Sequence, residues 1–144
     1  MKMISADLIS LLLPAPLMLW AGWVDLKKRV IPNIIPMIII LLGVLNILVF
    51  RQTDIIERIV GLALTAIPLL CIALKLGGIG GGDIKYTAAL GVYFGIYRFA
   101  FIYAVATIFA MAFSFVTKQK SIPLAFALLW GYIVWIIWNG RVIF

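Results

Sequence analysis

The chain has 144 residues, 66% of them hydrophobic, with five acids against twelve lysines and arginines and a net charge of +7. Such a composition is too apolar for a soluble domain of this size and belongs to polytopic membrane proteins. The basic residues are thinly spread and lack interleaved aromatics, so the charge speaks for membrane topology and not for nucleic acid. With no histidine and a single cysteine, Cys71, the chain has no His-based triad, no structural zinc set and no internal disulfide; neither metal nor other cofactor is expected.

The hydrophobic runs are continuous and show no strand-like alternation, so helices must satisfy the backbone. We expect an all-α fold, one membrane-embedded domain over residues 1–144. The first span covers about Leu8 to Val24, with Pro14 and Pro16 inside it, and stops at Asp25 and the cluster Lys27-Lys28-Arg29. Asp7 interrupts its start and no small-x-small cleavage site follows, so it reads as a retained span. A second span, Ile34 to Phe50, opens on Pro32-Asn33, where proline's missing N–H costs nothing. The third covers Ile59 to Leu74, with a kink expected at Pro68. After a glycine loop, a short fourth helix runs from about Ile84 to Ile96, and Arg98 marks a turn. Phe99 to Val116 makes the fifth span and Ile122 to Trp138 the sixth. A 17-residue helix is about 25 Å long, enough for a bilayer core of roughly 30 Å with slight thinning. The fourth is shorter, and we expect its neighbours to shelter it.

Six spans put both termini on one side. One set of loops carries Lys27, Lys28, Arg29, Lys75, Lys85, Lys118 and Lys120; the other carries Lys2, Arg51, Arg58, Arg98 and Arg141, offset by Asp7, Asp54 and Glu57. The positive-inside rule sends the first set to the cytoplasm. Asp25 and Asp83 then lie at one face, where they can meet. Asp7, Asp54 and Glu57 read as solvated loop acids on the other face. Asn46, inside a span, reads as a bond to a neighbouring helix.

Gly80-Gly81-Gly82-Asp83-Ile84-Lys85 is the most informative stretch. A carboxylate at membrane depth costs roughly 2.5–3.5 kcal/mol on insertion scales, so it marks a functional site by default. Three glycines beside it strip side chains from the backbone and let another extended segment approach, in the manner of strand addition. Paired with Asp25, it fits peptide hydrolysis by two carboxyls. One takes a proton from water; the other, protonated, polarises the scissile carbonyl. Helix polarity favours negative charge on Asp83, at a helix start, over Asp25, at a helix end, which points to Asp83 as the base. The bland alternatives are a helix cap for Asp83 and pairing with Lys28 or Arg29 for Asp25. Lys85 is read either as a topology signal or as a contact to substrate or carboxylate. Asn33 either caps the second helix or orients Asp25.

Asp25 followed by Arg29-Val30-Ile31-Pro32-Asn33, and Gly80-Gly81-Gly82-Asp83-Ile84-Lys85 followed by Ala88-Ala89-Leu90-Gly91, resemble the two signature regions of the type IV prepilin peptidase family, membrane aspartyl proteases of the G-x-G-D class. Ile122-Pro123-Leu124-Ala125-Phe126 resembles a third family segment before the last helix, with Leu124 in place of the usual aromatic. The resemblance runs along essentially the whole chain. It implies Asp25 and Asp83 as the catalytic pair, with Gly80, Gly82, Lys85 and Asn33 in supporting or substrate-binding places. It also implies removal of short basic leader peptides from pilin-like precursors at the cytoplasmic face of the cell membrane. Longer family members carry a cytoplasmic insertion with paired Cys-x-x-Cys motifs and N-methylate the new terminus. Here only eight residues, Asp25 to Pro32, separate the first two spans. The chain resembles the short, protease-only form, and methylation is not expected. Two rivals stand beside this reading. One is a small proton- or cation-coupled transporter using the same acids; the other is a non-catalytic component of a pilus or secretion assembly.

Overall fold

A computed structural model describes residues 9–50, 54–76, 79–118 and 123–143. The expectations for Lys2, Asp7, Arg51, Lys120 and Ile122 fall outside these residues. The described residues hold no strand. The elements are α1 (Ala15–Lys28), α2 (Ile34–Phe50), α3 (Ile55–Leu76), α4 (Gly81–Thr117) and α5 (Leu124–Ile143). The stretch Ile9–Lys28 and the helices Ile55–Lys75 and Gly81–Thr117 are each long and apolar enough to cross a membrane, and Ile34–Val49 and Leu124–Asn139 are shorter apolar helices. The molecule is an all-α polytopic membrane protein.

A straight helix of 37 residues would be about 55 Å long, nearly twice a bilayer core. α4 does not run straight. Gly95 leaves the helical region, at φ 73 and ψ 172, and divides it into arms 81–94 and 96–117. The arms run in opposite senses along the bundle. Asp83, at the start of the first, lies within electrostatic range of Asp25, whose carboxyl meets Ala125 at the start of α5. Phe113, near the end of the second, packs its ring on Phe126 of that same α5 turn, with centroids 6.2 Å apart. The expected fourth and fifth spans are therefore these two arms. They are joined at Gly95 instead of at Arg98, because the chain needs a left-handed residue to reverse and only glycine takes that backbone cheaply. A Cβ at Gly95 would also stand 2.7 Å from the Glu57 carboxylate.

The reversal strands carbonyls at the end of the first arm, and a buried cation collects them. Arg58, 3% exposed, donates through Nη1 to the carbonyls of Val92 (3.0 Å), Tyr93 (3.0 Å) and Gly43 (3.1 Å). Its Nη2 donates to Asn46 Oδ1 at 3.1 Å. Arg58 and Glu57 were expected in a loop. Instead they begin α3 and clasp the hairpin, because a helix end offers a guanidinium the acceptors that water would otherwise supply. Asn46 bonds between helices as expected, also reaching Tyr93 Oη at 3.4 Å.

Proline shapes the first span in a similar way. Pro14 has no N–H for the carbonyl of Ser10, four residues earlier. The helix breaks there, and the freed Ser10 carbonyl accepts from the Tyr93 hydroxyl at 2.5 Å. The next carbonyl, of Leu11, accepts from the Tyr132 hydroxyl at 2.5 Å. The core lies where the first arm of α4 meets α1, α2 and α5, with Met18, Ile35, Ile39, Tyr86, Leu90 and Leu128 among its buried members. The outward side chains are apolar, up to Val116 at 84% exposure, as lipid contact requires.

Candidate active site

α1 ends in a left-handed residue, Arg29 (φ 55), whose N–H bonds the Asp25 carbonyl at 2.9 Å. Lys27 and Lys28 occupy the last turn, where cations complement the helix dipole. Asp25 points inward, only 4% exposed. Its Oδ2 accepts the backbone N–H of Ala125 at 2.8 Å, in the first turn of α5. A buried carboxyl needs donors, and the free N–H groups of a helix start supply them. Both aspartates thus stand at helix starts, Asp83 on α4 and Asp25 against α5. The polarity argument that set Asp83 apart as the base loses its force, since it counted only the helix to which Asp25 belongs.

Gly80 is the residue before α4, with an ordinary extended backbone (φ −68, ψ 142). Its carbonyl accepts from Asp83 N (3.0 Å) and Ile84 N (3.4 Å), which winds the first turn. Gly81 and Gly82 lie inside that turn, so the glycine loop expected from the sequence is helical in part. The reason for glycine here is space. A Cβ at Gly80 would meet Asp83 Oδ2 at 3.3 Å, and one at Gly82 would meet the Ile31 carbonyl oxygen at 3.2 Å; one at Gly81 would meet nothing within 4 Å. Gly82 lets the start of α4 lie on the backbone of the segment that follows Asp25. Beside it, Lys85 Nζ donates to Asn33 Oδ1 at 3.2 Å. The two supporting residues that the sequence singled out separately are one contact, tying the Asp83 helix to the start of α2.

Asp25 and Asp83 come from different helices and reach the same end of the bundle within range of each other's charge. Arg29 is a cation within electrostatic range of Asp25. This arrangement sets two carboxyls between two helix starts, at a seam where backbone approaches backbone.

The type IV leader peptidase family model matches residues 12–116. The chain belongs to that family. The match to the leader peptidases takes in Asp25, Asn33, Gly80, Gly82, Asp83 and Lys85, and ends before Ala125. No curated protein and no solved structure matches.

Three residues at or near this leader-peptidase site were given no part in it from the sequence, although the family-like segments take in Ile31 and Ala125. Ala125 acts through its backbone, which leaves no side-chain signal. Ile31 presents its carbonyl to Gly82, again by backbone. Tyr86, fully buried one turn after Asp83, looks like any aromatic in an apolar run; only its three-residue spacing from Asp83 was available as a clue.

Proposed function

We propose that this leader peptidase is an aspartyl endopeptidase in which Asp25 and Asp83 share the chemistry. The observation that carries the reading is that two carboxyls from separate helices lie within electrostatic range at one end of a membrane bundle. In the proposed reaction one carboxylate takes a proton from water as the oxygen attacks the scissile carbonyl. The other carboxyl gives its proton to that carbonyl oxygen, forming a neutral gem-diol. Collapse breaks the C–N bond, and the amine leaves with a proton returned through the pair. Like-charge repulsion keeps one proton shared between the carboxyls, so the titration belongs to both.

The substrates are pilin-like precursors with short basic leader peptides. They are cut at the cytoplasmic face of the cell membrane, at the end of the bundle that also carries Lys27, Lys28 and Lys85. The first turn of α4, kept bare by Gly80 and Gly82, is where the peptide backbone would lie. Lys85 and Asn33 hold that turn against the start of α2. Methylation of the new terminus is not part of the proposal.

The test is cleavage of a candidate prepilin by the purified protein in detergent. Asp25→Asn and Asp83→Asn keep volume and hydrogen-bonding capacity but cannot exchange the proton. Each is expected to abolish cleavage while the protein stays folded. Activity within about tenfold of wild type in either variant would remove that residue from the catalytic role. Asp54→Asn, at the other end of the bundle, should cleave normally.

A further inference from the structure

Three tyrosines line the inner face of the bundle, and they differ in one respect. Tyr93 and Tyr132 each donate to a carbonyl of the first span, Ser10 and Leu11 respectively. Tyr86 lies two helical turns before Tyr93 on the same face of the first arm, so its ring enters the same seam one level nearer the aspartates. It is fully buried, and its hydroxyl has no hydrogen-bond partner among the described residues. A buried hydroxyl left unpaired is costly, and tyrosine hydroxyls in apolar interiors ordinarily find an acceptor. Phenylalanine would fill the same space without that cost.

The surroundings indicate what the hydroxyl serves. Tyr86 is three residues after Asp83, on one helix face. Among the described residues, Asp25 of α1 and Tyr132 of α5 act on its phenol through their charge. Tyr132 is already committed to Leu11. Asp25 takes backbone N–H groups from Ala125, on Oδ2, and from Phe126, and a carboxyl's two oxygens leave acceptor capacity for a phenolic donor as well. Hydrogen bonds in resting active sites are often long and tighten when substrate binds.

We propose that Tyr86 is a positioning residue for Asp25, its hydroxyl donating to the Asp25 carboxyl from the side opposite Ala125 when a peptide occupies the site. The carboxyl is then held from two helices, by backbone of α5 and by side chain of α4, and its orientation follows the helix that carries Asp83. This rests on the proposed peptidase reading but assigns a residue that the paired-aspartate scheme leaves out.

The experiment compares wild type, Tyr86→Phe and Asp25→Asn in detergent, by prepilin cleavage across pH, thermal unfolding, and infrared titration of the carboxyl C=O band. Tyr86→Phe is expected to fold at least as stably as wild type. It should lower kcat about tenfold with KM little changed, and move the acid limb of the pH–rate profile upward, since a carboxylate deprived of a donor holds its proton more tightly. With prepilin bound, the carboxyl band that Asp25→Asn removes should shift in Tyr86→Phe. Unchanged kcat and an unchanged acid limb in a variant that folds well would overturn the proposal while leaving the peptidase reading intact. If wild type cleaves no prepilin, the peptidase reading fails on its own account. The Asp25 band, recorded with a basic leader peptide at saturating concentration, then decides Tyr86: a shift in Tyr86→Phe supports the contact, and an unmoved band removes it.

Discussion

Gly80, Gly81 and Gly82 look alike in the sequence and unlike in space. A methyl on Gly82 would press into the Ile31 carbonyl oxygen at 3.2 Å, and one on Gly80 would touch the Asp83 carboxylate at 3.3 Å, while one on Gly81 has open space. Alanine also favours the helix by about 1 kcal/mol over glycine, so Gly81→Ala should leave cleavage intact and raise the unfolding temperature. Gly82→Ala should lose most activity, because backbone cannot give way as a side chain tip can. Gly80→Ala should fall between, since Asp83 can rotate but then leaves its working position. Prepilin cleavage by the three variants measures this order, and equal activity in all three would show the turn to be only a connector. The sequence signalled bare backbone open to close approach, and at Gly82 the backbone that approaches is the chain's own, at Ile31. None of the three has positive φ among the described residues; that property belongs to Gly95. Asp25 and Asp83 were legible as a pair because topology alone sends them to one face. The Ala125 contact was not, being backbone to side chain across 100 residues.

The element that departs most from expectation is the α4 hairpin. The apolar run through 84–116 contains no break in hydropathy at Gly95, so the reversal was assigned to the nearest charge, Arg98. What makes the turn possible is elsewhere in the chain. Arg58 takes the carbonyls of Val92 and Tyr93 that the break releases, and a hydropathy count, which sends every arginine to a loop, cannot find such a partner. Arg58→Met would keep an apolar stem of similar reach and remove every donor. Each stranded acceptor costs about 1–3 kcal/mol when buried, so the unfolding temperature in detergent should fall sharply. Arg58→Lys keeps the charge but cannot fan out to four acceptors, and should be intermediate. Gly95→Ala should also unfold early, from the backbone strain of a side chain at φ 73 and the clash with Glu57. Thermal unfolding of these variants is the check. An Arg58→Met protein as stable as wild type would show that the hairpin holds without its clasp.

At the scale of the whole molecule, the helix ends sort into two sets. Asp25, Asp83 and Ala125 gather at one end, and Gly82 lies on Ile31 and Lys85 on Asn33 there. Glu57 meets Gly95, and Gly61 meets Gly91, so α3 runs opposite to the first arm of α4 and delivers Lys75 to the aspartate end. Lys28 lies three residues after Asp25, and Lys118 caps the arm whose Phe113 lies on Phe126. Three exposed lysines at the ends of three different helices therefore share one end, while exposed Asp54, before α3, marks the other. The bundle fixes which residues share a side, and the proposed reading takes the lysine end as cytoplasmic on the charge bias. In a Cys71→Ala background, cysteines at Lys28, Lys75 and Lys118 should react with a membrane-impermeant maleimide only after the cytoplasm is opened to it. A cysteine at Asp54 should react in intact cells. Opposite sidedness for all four would invert the protein and put the aspartates outside, where precursors still carrying cytoplasmic leaders would not meet them. Labelling of Lys28 and Lys75 from different sides would separate α1 and α3 ends that the fold holds together, and with them Asp25 from Asp83, leaving no two-carboxyl site for a peptide to enter.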